Sequence, residues 1–108
     1  MKYVDLHMHT HYSDGTCPPK QNVIDAALLG SEIISITDHD TTRGYEEAKK
    51  EAERWGIEVI TGVEITTPKY HILGYNFDIE NQPLQTLLRY SRKVQLHQVQ
   101  QRIDILRE

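Results

Sequence analysis

The fold is decided by residues 2–16, which read Lys-Tyr-Val-Asp-Leu-His-Met-His-Thr-His-Tyr-Ser-Asp-Gly-Thr. The short run at residues 2–6 predicts a β-strand. Residues 7–19 contain His, Ser, Asp, Gly and a Pro-Pro pair, which is the composition of a loop. The stretch therefore predicts a strand that leads at its C-terminal end into a polar loop.

Two histidines at the start of this loop, His7 and His9, are separated only by Met8. Along an extended chain, alternate residues point to the same side, with their roots about 6–7 Å apart. Two imidazoles placed in this way can bind one metal ion at about 2.0–2.1 Å each, while Met8 points back into the core. The His-x-His pattern is a weak signal by itself and indicates a metal site only together with further ligand residues at neighbouring strand ends.

The rest of the chain alternates predicted strands and helices. The apolar periodicity and the Gly and Pro residues that end each segment predict these elements: helix 21–29, strand 32–37, helix 43–55, strand 57–61, short strand 70–75 and long helix 83–107. This order is typical of an α/β fold with a parallel sheet and helices packed against it. One face of the first helix is expected to be buried, with Val23, Ala26 and Ala27. On the last helix, apolar residues recur at spacings of three and four, in a 3-4-3 stripe, and are also expected to be buried: Leu96, Val99, Ile103 and Leu106.

Polar residues of the kind that bind metals follow three of these strands. His7, His9 and Asp14 follow the first strand, His39 the second and Glu64 the third. Because the carboxyl ends of parallel strands meet at one edge of a sheet, these side chains are expected to converge. His71, in the next strand, is a further candidate ligand. Two alternatives stay open: Asp14 can be a turn residue before Gly15, and His71 can lie at the edge of the core.

The ligand types indicate the metals. A carboxylate such as Glu64 can bridge two cations about 3.5–4 Å apart. Mixed imidazole and carboxylate ligands favour Zn, Mn or Fe over Mg or Ca. Cys17 is the only cysteine, so no thiolate cage for a structural zinc is expected. A site with open coordination positions indicates catalysis rather than a structural role.

Other polar residues near these strand ends have simpler interpretations. Asp38 is expected to orient an imidazole or to cap the next helix, and Asp40 to start that helix. Either Thr41 or Thr42 is available as its N-cap. His11 is interpreted as a loop residue near the site, and His97 as a surface residue of the long helix.

Composition excludes several classes of protein. The chain has 108 residues, 38% hydrophobic and 26% charged, with a net charge of −4. This is typical of a globular chain and gives no electrostatic case for general nucleic-acid or membrane binding. No apolar run approaches the roughly 20 residues that cross a bilayer, and no secretory signal is evident. The expected location is the cytoplasm.

Three motifs together resemble the PHP (polymerase and histidinol phosphatase) domain family. They are Asp-Leu-His-Met-His-Thr-His-Tyr-Ser-Asp-Gly-Thr at 5–16, Ile-Thr-Asp-His-Asp-Thr at 36–41 and Thr-Gly-Val-Glu-Ile at 61–65. Together with His-Ile-Leu-Gly-Tyr at 71–75, they are most similar to the stand-alone metal-dependent phosphoesterases of that family. The resemblance covers roughly residues 1–80 and implies the N-terminal part of a distorted seven-stranded β/α barrel, followed by a long helix at 81–108 that begins an insertion or the remaining domain.

The resemblance also implies a ligand assignment and a reaction. His7, His9 and Glu64 would hold a first metal, Glu64 and His71 would share a second, and Asp14 and His39 would hold a third. The implied activity is hydrolysis of phosphate monoesters or diesters, such as nucleotides or nucleic-acid 5′ ends, through a metal-activated hydroxide. Glu64, His39 and Asp14 are the implied catalytic residues, and two or three ions of Mn, Fe or Zn are the implied cofactors.

The chain departs from the family pattern after His71. The family completes its site with later His residues and an Asp-x-His motif, whereas this chain offers only His97. The sequence is therefore expected to be the N-terminal portion of such a protein. It could associate with a second copy through an exposed sheet edge or the helix at 83–107. Two alternatives remain: a non-catalytic metal-binding or scaffolding module, and an amidohydrolase, for which only the weakly placed Lys69 could serve as a metal-bridging lysine.

Overall fold

The computed structural model describes residues 3–107. The elements in chain order are β1 (Tyr3–Met8), α1 (Pro19–Leu28), β2 (Ser31–Ile36), α2 (Gly44–Ala52), β3 (Glu58–Val59), β4 (Gly62–Thr66), β5 (His71–Tyr75) and α3 (Gln82–Arg107). The strand predicted at 2–6 corresponds to β1, with residue 2 outside the described part. Strand β1 continues to Met8, however, so His7 lies within the strand rather than after it. The mixed α/β order and the long final helix agree with the prediction from sequence.

The first three strands form the predicted parallel sheet, in the order β1-β2-β3. Met8 of β1 aligns with Ile36 of β2, and Ile34 of β2 aligns with Val59 of β3. Helices α1 and α2 cover one face and bury the core residues Val23, Ala26, Ile34, Ile36, Ala48, Ala52 and Ile57. The predicted inward face of α1 is confirmed, and Met8 packs against this core as expected.

The third predicted strand is wrong in one respect that matters for the site. The segment divides into the two-residue β3 and a separate strand, β4, so Glu64 lies within a strand rather than after one. Strand β4 pairs with β5 as an antiparallel hairpin, and its Glu64 also forms a parallel bridge with His39. The division occurs because the chain passes close to β2 at Gly62, where a Cβ atom would lie 2.1 Å from the Ser35 hydroxyl oxygen.

The start of α2 also differs from the prediction. The helix begins at Gly44 after Arg43, with no side-chain cap, and the Thr41 hydroxyl instead accepts a hydrogen bond from the Arg43 amide at 3.2 Å. Asp40 does not start the helix. It lies in a turn ahead of the helix with a positive φ of 56°, because its side chain and backbone are bound to β4 instead.

Helix α3 packs on β4, and Leu88 of this helix is fully buried. The predicted burial of the 3-4-3 stripe is wrong within residues 3–107: Leu96 is 71% exposed, Leu106 is 85% exposed, and Val99 and Ile103 are also exposed. His97 is exposed, as predicted. Within the described residues five strands are present, three in one sheet and two in the hairpin, and no helix is long and apolar enough to cross a membrane.

A Gly62→Ala substitution tests the close approach of β4 to β2. The added methyl group would meet Ser35 and, at 2.9 Å, the methyl carbon of Thr37. We expect the free energy of unfolding to fall by roughly 1–3 kcal/mol, as for other overpacked sites, measured by urea denaturation. Gly74→Ala is the matched control, since its Cβ would make only an ordinary 3.7 Å contact with Val63. Equal losses for the two variants would contradict the steric account.

Candidate metal centre

The floor of the site is the carboxylate of Glu64, whose side chain is only 7% exposed. Its two oxygens face different imidazoles. Oε1 lies 2.9 Å from Nε2 of His7 and 2.9 Å from Nε2 of His9, whereas Oε2 lies 2.7 Å from Nδ1 of His71. Glu64 reaches this place because β4 runs beside the end of β2, with the Glu64 amide donating to the Asp38 carbonyl at 3.1 Å.

A second carboxylate, Asp14, lies on the outer side of the same cluster. Its Oδ1 lies 2.5 Å from Nδ1 of His9, and its Oδ2 lies 3.2 Å from Nε2 of His39. The Asp14 side chain is 62% exposed, and the side chains of His7 and His71 are 55% and 52% exposed. The arrangement is a cleft with a buried acidic floor and an open rim.

Four imidazole rings lie in a row across this cleft. Ring centroids are 5.2 Å apart for His7 and His9, 4.6 Å for His9 and His39, and 5.2 Å for His39 and His71. The same rings lie beside the carboxylates of Asp14 and Glu64, so imidazoles and carboxylates could share cations along the row.

Ligand atoms within 4.8 Å of one another form three groups among the described residues. The groups are His7, His9 and Glu64; His9, Asp14 and His39; and His39, Glu64 and His71. All six residues predicted from the sequence therefore come together. Ligand atoms that share one ion at 2.0–2.1 Å must lie within about 4 Å of each other, and the His–carboxylate distances of 2.5–3.2 Å given above meet this condition. The donor set fits Zn, Mn or Fe, and no thiolate takes part.

Electrostatics agree with a site built for positive charge. Burial would lower the pKa of His9, but hydrogen bonds and charge from Asp14 and Glu64 outweigh it, so that pKa lies above 6.5. The hydrogen bond from His9 lowers the pKa of Asp14. Burial would raise the pKa of Glu64, yet its imidazole neighbours, His7 first, bring that pKa below its usual 4.5. Both carboxyl groups are therefore anions at neutral pH.

The loop that carries His9 and Asp14 is held by Asp38, a fully buried carboxylate. Asp38 accepts hydrogen bonds from the backbone amide of Thr10 at 2.6 Å, from the Thr10 hydroxyl at 2.6 Å and from the Ser13 hydroxyl at 2.7 Å. Neither predicted role of Asp38 is correct, since in this structure it neither orients an imidazole nor caps α2. It fixes the loop between β1 and α1 instead.

Three residues of the site, Thr10, Ser13 and Thr66, were not predicted from the sequence. Thr66 places its hydroxyl oxygen 3.3 Å from Nδ1 of His39. Hydroxyl residues next to a ligand carry no distinctive local pattern, and Thr10 meets Asp38 across 28 positions of sequence. His11 lies in the loop near the site, as predicted, but its exposed ring contacts Tyr12 and is in none of the ligand groups.

Tyr75 connects the hairpin to the first strand. Its hydroxyl donates to the carbonyl of Leu6, so β5 is held against β1 on the open side of the sheet. Burial, reinforced by the charges of Glu64 and Asp5, raises the pKa of Tyr75 above 10. The phenol therefore stays protonated at neutral pH and keeps its proton for this bond.

Comparison with known proteins agrees with the mixed α/β fold that carries the candidate metal-binding groups. The sequence matches the PHP domain family over residues 5–107, and the chain belongs to this family. It is 43% identical over 96 residues to a 5′-3′ exoribonuclease of Haemophilus influenzae, covering 85% of this chain and 35% of that protein. It is 33% identical over 105 residues to a 3′,5′-nucleoside bisphosphate phosphatase of Chromobacterium violaceum, covering 94% and 37%.

A solved structure supports the same relationship. A candidate metal-dependent phosphoesterase from Bifidobacterium adolescentis superimposes with a TM-score of 0.86 at 32% identity, covering 95% of this chain and 37% of that one. The chain thus spans about a third of the length of these relatives, at 35% and 37% of the two curated proteins. The relatives are hydrolases that act on phosphate esters, as their names state.

The pH dependence of stability separates a metal centre from a cluster of ion pairs. The raised pKa of His9 means that its bonds stabilise the metal-free chain fully below pH 6.5 and lose this effect as the pH rises through the raised value. The lowered pKa values of Asp14 and Glu64 mean that their contribution disappears only as the pH falls below about 4. Between pH 6 and pH 8, the Tm of the metal-free chain should therefore fall.

Added Zn or Mn should reverse this trend, because the metal displaces the proton of His9 and binds better as the pH rises. We expect the Tm increase caused by metal to be larger at pH 8 than at pH 6, measured by scanning calorimetry with and without chelator. His97→Gln is the control, since His97 lies on α3 outside the ligand groups. An increase that is the same at both pH values, or that persists in His9→Gln, would argue against the centre.

Proposed function

We propose that this chain forms part of the active site of a metal-dependent phosphoesterase, which hydrolyses phosphate monoesters or diesters of nucleotides or nucleic-acid 5′ ends. The observation that carries the proposal is the buried Glu64 carboxylate, because its two oxygens each face a different ligand group. Such a carboxylate is suited to bridging two cations. The names of the relatives, an exoribonuclease and a bisphosphate phosphatase, support the substrate class.

The proposed ligand assignment follows the three groups. His7, His9 and Glu64 would hold one cation, Glu64 and His71 a second, and Asp14 and His39 a third. His39 faces both of the latter sites, since its Nε2 lies 3.2 Å from Asp14 and its Nδ1 4.0 Å from Glu64. The cofactors would be two or three ions of Mn, Fe or Zn.

The chain's own charges explain why cations are required. Asp14 and Glu64 are both ionised at neutral pH, so the cleft without metal would repel a phosphate. When bound, the cations would supply the positive charge that stabilises the phosphoryl oxygens as negative charge develops on them. Glu64, His39 and Asp14 are the proposed catalytic residues because they would hold these cations. His39 and Asp14 would do so from loops at the strand ends.

The site has a buried side and an exposed side. Glu64 is buried, whereas Asp14, His7 and His71 are more than half exposed at the rim. A phosphate attached to a larger group can therefore enter from the open side while that group stays outside. This geometry suits a terminal phosphate on a nucleotide or oligonucleotide rather than a buried small molecule.

We further propose that residues 1–80 form the metal-binding part and that residues 81–108 lead into an insertion or a further domain. The exposed apolar stripe on α3, and the outer edge of β1, are the surfaces through which a second copy would associate. Analytical ultracentrifugation of the wild type and of Val99→Lys tests this association. A chain that is monomeric at every concentration would contradict it.

Replacing Glu64 by Gln tests the proposed function. The amide keeps the shape but loses the charge and the second acceptor oxygen, so metal binding at two groups weakens. We expect hydrolysis of an aryl phosphate or a mononucleotide to fall by about 100-fold or more, measured as phosphate release with added Mn or Zn. Glu58→Gln, an exposed acid on β3, is the matched control and should leave the rate unchanged.

The measurement is made on the chain itself and on a longer protein that contains it. Metal-dependent turnover in either, lost in Glu64→Gln, supports the proposal. The alternative is a metal-binding module without catalysis, for which the wide exposure of His7, His71 and Asp14 leaves room. Stoichiometric metal with no hydrolysis in either protein would overturn the proposed function in favour of that module.

A further inference from the structure

The turn that follows His39 has an unusual backbone. Asp40 is almost fully buried and has a φ of 56°, a left-handed conformation that non-glycine residues adopt only when their surroundings fix it. Two bonds to β4 do so: the Asp40 amide donates to the Glu64 carbonyl at 3.0 Å, and Oδ1 of Asp40 accepts from the Thr66 amide at 2.9 Å. The turn is thereby tied to the strand that carries the floor of the site.

Helix α3 supplies the remaining contacts to this turn. The guanidinium of Arg92 donates from Nη1 to the carbonyl of Asp40 at 2.5 Å, across 52 positions of sequence. The neighbouring Ser91 donates from its hydroxyl to the Thr66 carbonyl at 3.2 Å. One turn earlier, the buried Leu88 anchors the helix. Two consecutive residues of α3 thus bind the backbone carbonyls of Asp40 and Thr66, which are themselves joined by the hydrogen bond from the Thr66 amide to the Asp40 side chain.

These contacts lead directly to a metal ligand. His39 precedes Asp40 in the chain, its Nδ1 lies 3.3 Å from the Thr66 hydroxyl, and its Nε2 lies 3.2 Å from Asp14. The direction of the imidazole depends on where the backbone turns at Asp40. A change in that turn would move Nε2 away from the Asp14 carboxylate, while His7, His9 and His71 lie on other elements and keep their places.

We propose that Arg92 is a positioning residue for His39: by binding the carbonyl of Asp40, it holds the turn that aims His39 at Asp14. Helix α3 is then part of the metal centre's support even though none of its side chains is in a ligand group. The expected effect of Arg92 on metal binding rests on the proposed function, whereas its effect on the backbone turn at Asp40 does not. Helix α3 would in this way be coupled to the two ligand groups that contain His39.

The experiment compares Arg92→Met, which keeps the aliphatic stem but has no donor, with Arg92→Lys, which keeps one. In the metal-free chain, exchange of the Thr66 amide, which bonds to Asp40, should be about fivefold faster in Arg92→Met, as measured by NMR. The affinity for Co or Mn at the sites that include His39 should fall about 10-fold, and that at the site of His7, His9 and Glu64 should not. Arg92→Lys should restore most of the protection of the Thr66 amide and most of the metal affinity.

Arg89→Met is the control, since the Arg89 guanidinium bonds only to the Thr86 hydroxyl of its own helix in the contacts described. Unchanged exchange and affinity in Arg92→Met would overturn the proposal, and so would a loss that Arg92→Lys does not restore. Should Arg92→Met fail to fold, Arg92→Gln, whose amide is too short to reach the carbonyl, takes its place. If the wild type binds no metal, the proposed function fails, and the amide exchange alone decides the role of Arg92.

Discussion

Burial of the Glu64 carboxylate is the constraint on which the rest of the structure depends. An ionised carboxyl group removed from water is costly unless positive charge or hydrogen-bond donors surround it. Here the donors are imidazoles from three places in the chain, and each approaches one particular oxygen. A floor of this kind favours cations over any neutral ligand. The same constraint explains why β4 must run beside the end of β2, since only there does Glu64 lie among the histidines.

A second buried carboxylate, Asp38, has a different role. It holds together the motifs at 5–16 and 36–41, which supply candidate ligands. Asp38 accepts three hydrogen bonds from Thr10 and Ser13 and has no imidazole partner in the contacts described. In the proposed function Glu64 would attract cations, whereas Asp38 fixes the shape of the loop that brings Asp14 to the rim. Gly15 lies in the same loop. A larger residue would not fit there, because a Cβ would lie 2.6 Å from the His9 carbonyl oxygen.

Much of the fold and of the candidate site could be predicted from the sequence, because the patterns that indicate them are local. The His7–His9 spacing, the strand periodicity and the acids after each strand predicted the α/β order and a set of six residues that the structure brings together. Their roles as ligands remain proposals. The strand boundary at Gly62 could not be predicted, since it depends on the close approach of Ser35 in another strand. The role of Asp38 and the turn at Asp40 depend on partners 24 or more positions away.

Anomalous diffraction from crystals soaked in Mn would show whether Glu64 bridges two cations. We expect one anomalous peak near Oε1 of Glu64, bounded by His7 and His9, and another near Oε2, bounded by His71. The two peaks should lie about 3.5–4 Å apart. A single peak remote from Glu64, or none at full metal occupancy in solution, would show that Glu64 does not bridge two cations.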